Sequence, residues 1–273
     1  MHILLTNDDG HKAPGIRALR LALNTHGHRV TMVAPSEEQS ASSMCTTPHR
    51  SIALQQLDED SWHLDGRPAD TVLVALKHLL EDDPPELVLS GINFGPNLGS
   101  GLYASGTIGA ALMALIIGFP AIAVSAGMLF HESNYEPRFP STHDVLDPAA
   151  DFTCTLIESL QSSAISGQGL LPQGVLLNIN YPALPKSKIK GVFYPEVSNG
   201  HMIELDYSRC NETGHVIPRY LPGVDPEKPQ QESGDVRAHL EGYITISTVK
   251  PHWNAPVELA DEIQARLSGM RPA

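Results

Sequence analysis

A three-layer α/β fold built on a mostly parallel sheet, with an extended β-hairpin arm toward the C-terminus, is the architecture the sequence predicts. Three observations carry it. Over the first 125 residues, short apolar runs of strand length alternate with helical stretches, the pattern of parallel strands joined by crossover helices. Two adjacent carboxylates, Asp8 and Asp9, follow the first such run directly, at the place where open α/β sheets bind ligands. Residues 186–232 hold several prolines and scattered β-branched side chains without a helical period, as an arm leaving the core would.

The elements follow in order. Residues 2–6 make the first strand, because Ile3-Leu4-Leu5 is a short continuous apolar run and Asn7-Asp8-Asp9-Gly10 ends it with turn formers. Pro14 suits a first helical turn, and Ile16, Leu19, Leu21 and Leu23 supply apolar positions until Gly27. Residues 29–35 (RVTMVAP) are the second strand, and a polar loop over 36–47 carries Ser40, Ser42 and Ser43. Residues 51–57 and 62–64 pair as a short antiparallel excursion. A helix starts at Gly66-Arg67-Pro68-Ala69-Asp70 and runs through Leu80, and the strand 86–90 (ELVLS) then ends in the glycine-rich stretch 91–99. Ser105-Gly106-Thr107 opens an apolar helix to Ile117, and 120–125 (PAIAVS) is a further strand. After a polar, Pro-rich stretch over 128–147, a helix near 148–160 and a strand over 174–180 (GVLLNIN) resume the alternation. A strand over 242–250 and a helix over 256–267 close the chain. The chain thus reads as one domain, 1–273, with a core of 1–125 and 140–185, an arm of about 186–240 and a C-terminal strand and helix within 241–273.

Composition excludes several classes. With 41% hydrophobic residues and no low-complexity tract, disorder is excluded, and 273 residues suffice for a full core. A net charge of -13 with only 18 Lys plus Arg opposes a long nucleic-acid partner, whose phosphates need a basic face; a small phosphorylated ligand needs only local donors. Cys45, Cys154 and Cys210 are far apart and form no Cys-x-x-Cys pair, so they read as reduced thiols. The longest apolar stretch, 110–124, is interrupted by Gly118 and Pro120, so no membrane span is expected. The strand and acidic turn begin at once instead of a basic and then apolar leader, and the expected location is the cytoplasm.

Chemistry concentrates at the strand ends. Two anions as close as Asp8 and Asp9 repel each other, and a divalent cation is the simplest neutraliser. The Ser40 hydroxyl and the Asn93 and Asn97 amides lie in loops expected at the same rim, which makes an oxygen-only set suited to one Mg²⁺ or Mn²⁺. Ser105-Gly106-Thr107 starts a helix, where free backbone N–H groups and two hydroxyls cradle a phosphate. Each motif also has a plainer reading: a solvated turn for the aspartates, ordinary turn residues for the serine and asparagines, an N-cap for Ser105. None of the 13 histidines forms a His-x-x-x-His pair, and no Gly-x-Ser-x-Gly elbow occurs.

These residues, with Ala13-Pro14-Gly15-Ile16, Val33-Ala34-Pro35, Gly66-Arg67-Pro68-Ala69-Asp70 and the run from Ser90 through Gly91-Ile92-Asn93-Phe94-Gly95-Pro96-Asn97-Leu98 to Gly99, resemble the SurE family of survival-protein nucleotidases. The resemblance implies a Rossmann-like core, a protruding or swapped arm in a homodimer or homotetramer, and divalent-metal-dependent hydrolysis of nucleoside 5′- and 3′-monophosphates. It implies Asp8, Asp9, Ser40 and Asn93 as metal ligands, although the family commonly has Ser-Gly where this chain reads Ser40-Ala41. Asp8 or Asp9 is then the general base, and Asn97, Ser105, Gly106 and Thr107 bind phosphate oxygens. Two other functions stand beside this one: a metal-dependent deacylase, and a nucleotide-binding regulatory module without turnover.

Overall fold

The computed structural model describes residues 1–163, 169–211, 213–251 and 257–267. Residues 164–168 of the expected core, Pro256 at the expected start of the last helix and 268–273 lie outside the described residues. The chain runs through β1 (His2–Thr6), α1 (Pro14–Thr25), β2 (Arg29–Pro35), β3 (Leu54–Asp58), β4 (Ser61–Leu64), α2 (Pro68–Val74), β5 (Leu87–Phe94) and α3 (Gly106–Ile116). It continues through β6 (Ala121–Ala126), α4 (Pro140–Asp144), α5 (Leu146–Ser162), β7 (Leu176–Tyr181) and β8 (Val192–Phe193). The last elements are β9 (Ile203–Cys210), β10 (Val216–Pro222), α6 (Gly234–Leu240), β11 (Ile244–Val249) and α7 (Val257–Arg266).

Nine strands form one sheet in the order β3-β4-β2-β1-β5-β6-β7-β11-β8. From β4 to β7 all neighbours are parallel, while β3 and β11 pair antiparallel with β4 and β7. Alternation along the strands builds two cores. Ile3 and Leu5 face α1 and α5 with Ile16, Leu19, Ala149 and Ile157, whereas Leu4 faces α2 and α3 with Val72, Ile108 and Ala111. Ile3, Leu4 and Leu5 are all fully buried, and burying each side chain contributes about 1.5–3 kcal/mol. After β2 and β4 extend the sheet on one side of β1, the chain crosses to β5 on the other. The carboxyl ends of β1 and β5 therefore flank the point where strand order reverses, which places a crevice there.

Four expectations are revised. The pairing of β3 with β4 is antiparallel as read, but β4 also joins β2 in parallel and so extends the main sheet instead of leaving it. The helix expected through Leu80 is α2 followed by a π-helical turn over Ala75–Leu79. The strand expected to stop at Ser90 continues to Phe94, with a register shift against β6 between Ser90 and Asn93, so Asn93 lies on β5 rather than in a loop. The arm is shorter than 186–240: β9 and β10 form the separate two-stranded sheet, whereas β8 joins the main sheet and α6 packs Val236 with Leu98, Met202 and Val224.

His239 on α6 is buried with no partner for Nδ1, and burial holds its imidazole pKa down at about 4. The unfolded chain takes up a proton near pH 6.5 that the folded chain refuses, so this group lowers stability as pH falls from 6.5 toward 4 and has no effect above. The full effect is on the order of 3 kcal/mol. In thermal melts across that window, His239→Leu is expected to flatten the acid limb relative to the parent chain; superimposable pH profiles would count against a neutral buried imidazole.

Candidate active site

The turn after β1 is closed by Asn7, whose Nδ2 donates to the Gly10 carbonyl at 2.9 Å, and it presents Asp8 and Asp9 at the crevice. Asp8 is buried, and its Oδ1 accepts from the Thr107 hydroxyl at 2.6 Å. α3 therefore starts against this carboxylate. A Cβ on Gly106 would meet Ser42 Oγ at 2.6 Å and the Asp8 Oδ2 at 2.9 Å, so only glycine allows the approach. Asp9 Oδ2 accepts from the Phe94 backbone N–H at 2.9 Å, which leaves Oδ1 for a cation or a water. On Asn93, Nδ2 donates to the Gly95 carbonyl at 2.7 Å, and the amide oxygen stays available.

Burial pushes both carboxyls above the usual carboxylate range. Thr107 opposes the rise at Asp8, the Asp8 charge adds to it at Asp9, and Glu38 adds to both. A buried acidic pair driven toward neutrality is the electrostatic environment a cation reverses. Among the described residues no three His, Cys, Asp or Glu converge as a metal cluster, so a metal here would rest on two carboxylates supplemented by neutral oxygens. Asp8, Asp9 and the Asn93 oxygen fit a hard ion with positions open to water and substrate.

Comparisons with known proteins identify the family. The model of the family "Survival protein SurE" matches residues 3–204. The chain belongs to the SurE family. It is 36% identical to "5'-nucleotidase SurE" of Thermosynechococcus vestitus, covering 90% of this chain and 89% of that one, and 37% identical to the protein of the same name from Gloeobacter violaceus, covering 92% and 90%. The crystal structure of the SurE protein from Aquifex aeolicus superposes with a TM-score of 0.76 at 28% identity, over 97% of this chain and 99% of that one.

Within this SurE chain, the sequence-predicted site residues fall into two groups. Asp8, Asp9, Asn93, Ser105, Gly106 and Thr107 all lie at the carboxyl ends of β1 and β5 and the start of α3. Ser40 does not touch the acidic pair. It is exposed, and its hydroxyl donates to Glu38 at 2.8 Å, although its neighbour Gln39 holds the loop by donating its N–H to the Asp8 carbonyl at 2.7 Å. Ala41 there adopts φ 58°, the left-handed conformation that favours glycine. The Thr107 hydroxyl, expected on phosphate, is spent on Asp8, and Ser105 Oγ N-caps α3 by accepting from the Ile108 N–H at 3.1 Å.

Asn97 is also committed. Its amide donates to Ser125 Oγ at 2.9 Å, its N–H donates to Asn180 Oδ1 at 2.8 Å, and its carbonyl accepts from Asn178 and Asn180. It braces the loop after β5 from below. Sequence reasoning missed Ser125, Asn178 and Asn180, though amides two apart within the otherwise apolar β7 were a usable signal, since they share one face. It also missed Asp235, a fully buried carboxylate that accepts from the N–H groups of Gly99 and Ser198 at 3.0 and 2.9 Å.

Proposed function

We propose that this protein is a divalent-metal-dependent phosphomonoesterase that hydrolyses nucleoside 5′- and 3′-monophosphates. The observation that carries the reading is the Asp8–Asp9 pair at the switch point, the buried Asp8 braced by the start of α3 and the half-buried Asp9 by the end of β5. The 5'-nucleotidase names of relatives at 33–37% identity support the nucleotide substrate. Asp8, Asp9 and Asn93 would hold one Mg²⁺ or Mn²⁺, with Ser40 joining only by turning away from Glu38. Bound there, the ion supplies Lewis-acid neutralisation of the phosphoryl oxygens.

The chain's own groups do the rest. Thr107 fixes the Asp8 carboxylate and the Phe94 N–H fixes Asp9, so neither rotates away from the reacting phosphorus. Asp9, whose Oδ2 is held by the Phe94 N–H while Oδ1 accepts nothing from the chain, stands where it could take the proton of an attacking water. The Ser105 Oγ accepts from the Ile108 N–H, so its own hydrogen is free to donate, and with the first N–H groups of α3 it could bind phosphate oxygens.

The exposed apolar residues Leu205, Tyr207, Ile217 and Tyr220 on β9 and β10 support burial of the hairpin in a homodimer or homotetramer. No described helix is long and apolar enough to cross a membrane. The deciding measurement is phosphate release from a panel of 5′- and 3′-mononucleotides with Mn²⁺ and with chelator. Release only with metal is expected. Equal rates under chelation would remove the metal, and binding without release would favour the regulatory module.

A further inference from the structure

We propose that Phe94, with Phe139 and His143, forms the nucleobase subsite of this chain, receiving a purine ring by stacking; this rests on the nucleotidase reading above. The position follows from the backbone. Phe94 is the residue after Asn93, and its own N–H holds Asp9, so its ring stands at a fixed offset from the acidic pair. The ring lies half-buried at the carboxyl end of β5, tilted against His143 at 4.9 Å between centroids and edge-on to Phe139 at 6.2 Å. Phe139 is buried beneath, while His143 is exposed, so the cluster has a packed floor and an open side. Only six phenylalanines occur in the chain, and two of them meet here.

The floor is held under tension. Phe139 adopts φ 53°, a left-handed conformation that is an outlier for a bulky residue. Its surroundings impose it. The buried Glu132 carboxylate accepts from both the N–H and the hydroxyl of Ser141, and the Thr142 hydroxyl donates to the Gly127 carbonyl at 2.8 Å. Strain of this kind collects at ligand clamps. The chemistry also suits a base: beside Asp8, Asp9 and Glu38 a cationic recognition group would be drawn to the carboxylates, whereas a π-face binds a neutral ring without charge.

The test compares AMP with ribose 5-phosphate, which lacks the base, and follows adenosine by saturation-transfer NMR on metal-free protein. In Phe94→Ala, kcat/KM is expected to fall about tenfold further for AMP than for ribose 5-phosphate, through KM, with the adenine signal lost; Phe94→Trp should restore both the AMP preference and the signal. Equal losses on the two substrates would show that the ring only packs beside Asp9 and would overturn the subsite. So would an adenine signal that persists in Phe94→Ala, or one that disappears only in Tyr103→Ala, which removes the exposed aromatic ahead of Ser105. Adenine saturation through Phe94 in a parent protein that releases no phosphate would support the subsite and sink the hydrolase reading instead.

Discussion

Replacing both aspartates, Asp8→Asn with Asp9→Asn, is expected to lower metal-dependent phosphate release by about 10³-fold or more while leaving the metal-free protein at least as stable as the parent. The first half follows from removing the whole anionic contribution to cation binding together with the proton acceptor. The second half follows from burial. A buried and a half-buried carboxylate side by side without a cation cost desolvation and mutual repulsion, and amides of nearly the same shape remove both terms while still accepting from Thr107 and the Phe94 N–H. Thermal melts with and without Mn²⁺ make this visible: the parent should gain several degrees on adding metal and the double variant none. A double variant that retains the metal-induced shift would place the ion elsewhere.

Gly109→Ala is expected to be strongly destabilising although it adds a single methyl group. A Cβ at Gly109 would lie 2.1 Å from the Ser43 carbonyl oxygen and 2.7 Å from the Met44 nitrogen, both backbone atoms with no rotamer to change. Gly106 and Gly109 lie three apart on one face of α3, and the 36–47 loop is laid directly on that face, tied by the Ser43 N–H donating to the Ala104 carbonyl at 2.9 Å. The expected cost is about 3 kcal/mol of stability. Turnover should fall beyond what the stability loss explains, because lifting the loop also moves Gln39 off the Asp8 carbonyl. Gly101→Ala is the comparison, since nothing lies within 4 Å of where its Cβ would stand and no positive φ is required; denaturant titration should find it within about 0.5 kcal/mol of the parent.

Much of the frame was legible because β1 and β2 are short buried runs bounded by polar turns, so their ends coincide with the observed ones. The acidic pair was legible for the same reason: its place depends on where one strand stops. Asn93 was misplaced because the register shift lets β5 run on through Gly91, a bend that no run of apolar residues announces. Thr107 was read as a phosphate ligand from its local helix start, yet its hydroxyl serves Asp8, a residue 99 positions away, and no local pattern reports such a pairing. Ser40 stands apart for another reason: Glu38 two residues earlier offers its hydroxyl a local acceptor. The buried amides on β7 and the carboxylate of Asp235 brace loops from elements far along the chain, and only the assembled sheet brings them together.

The adjacency of β1 and β5 has a further consequence for how the protein comes into being. These neighbours are joined in register from Ile3 with Leu87 to Thr6 with Ser90, so more than eighty residues separate the two halves of the acidic crevice along the chain. A nascent or partly unfolded chain displays the aspartates as an ordinary hydrated turn with no affinity to speak of. If the proposed function holds, the ion and the nucleotide would recognise only molecules whose central sheet has already closed, and each binding event would draw the population toward the finished fold.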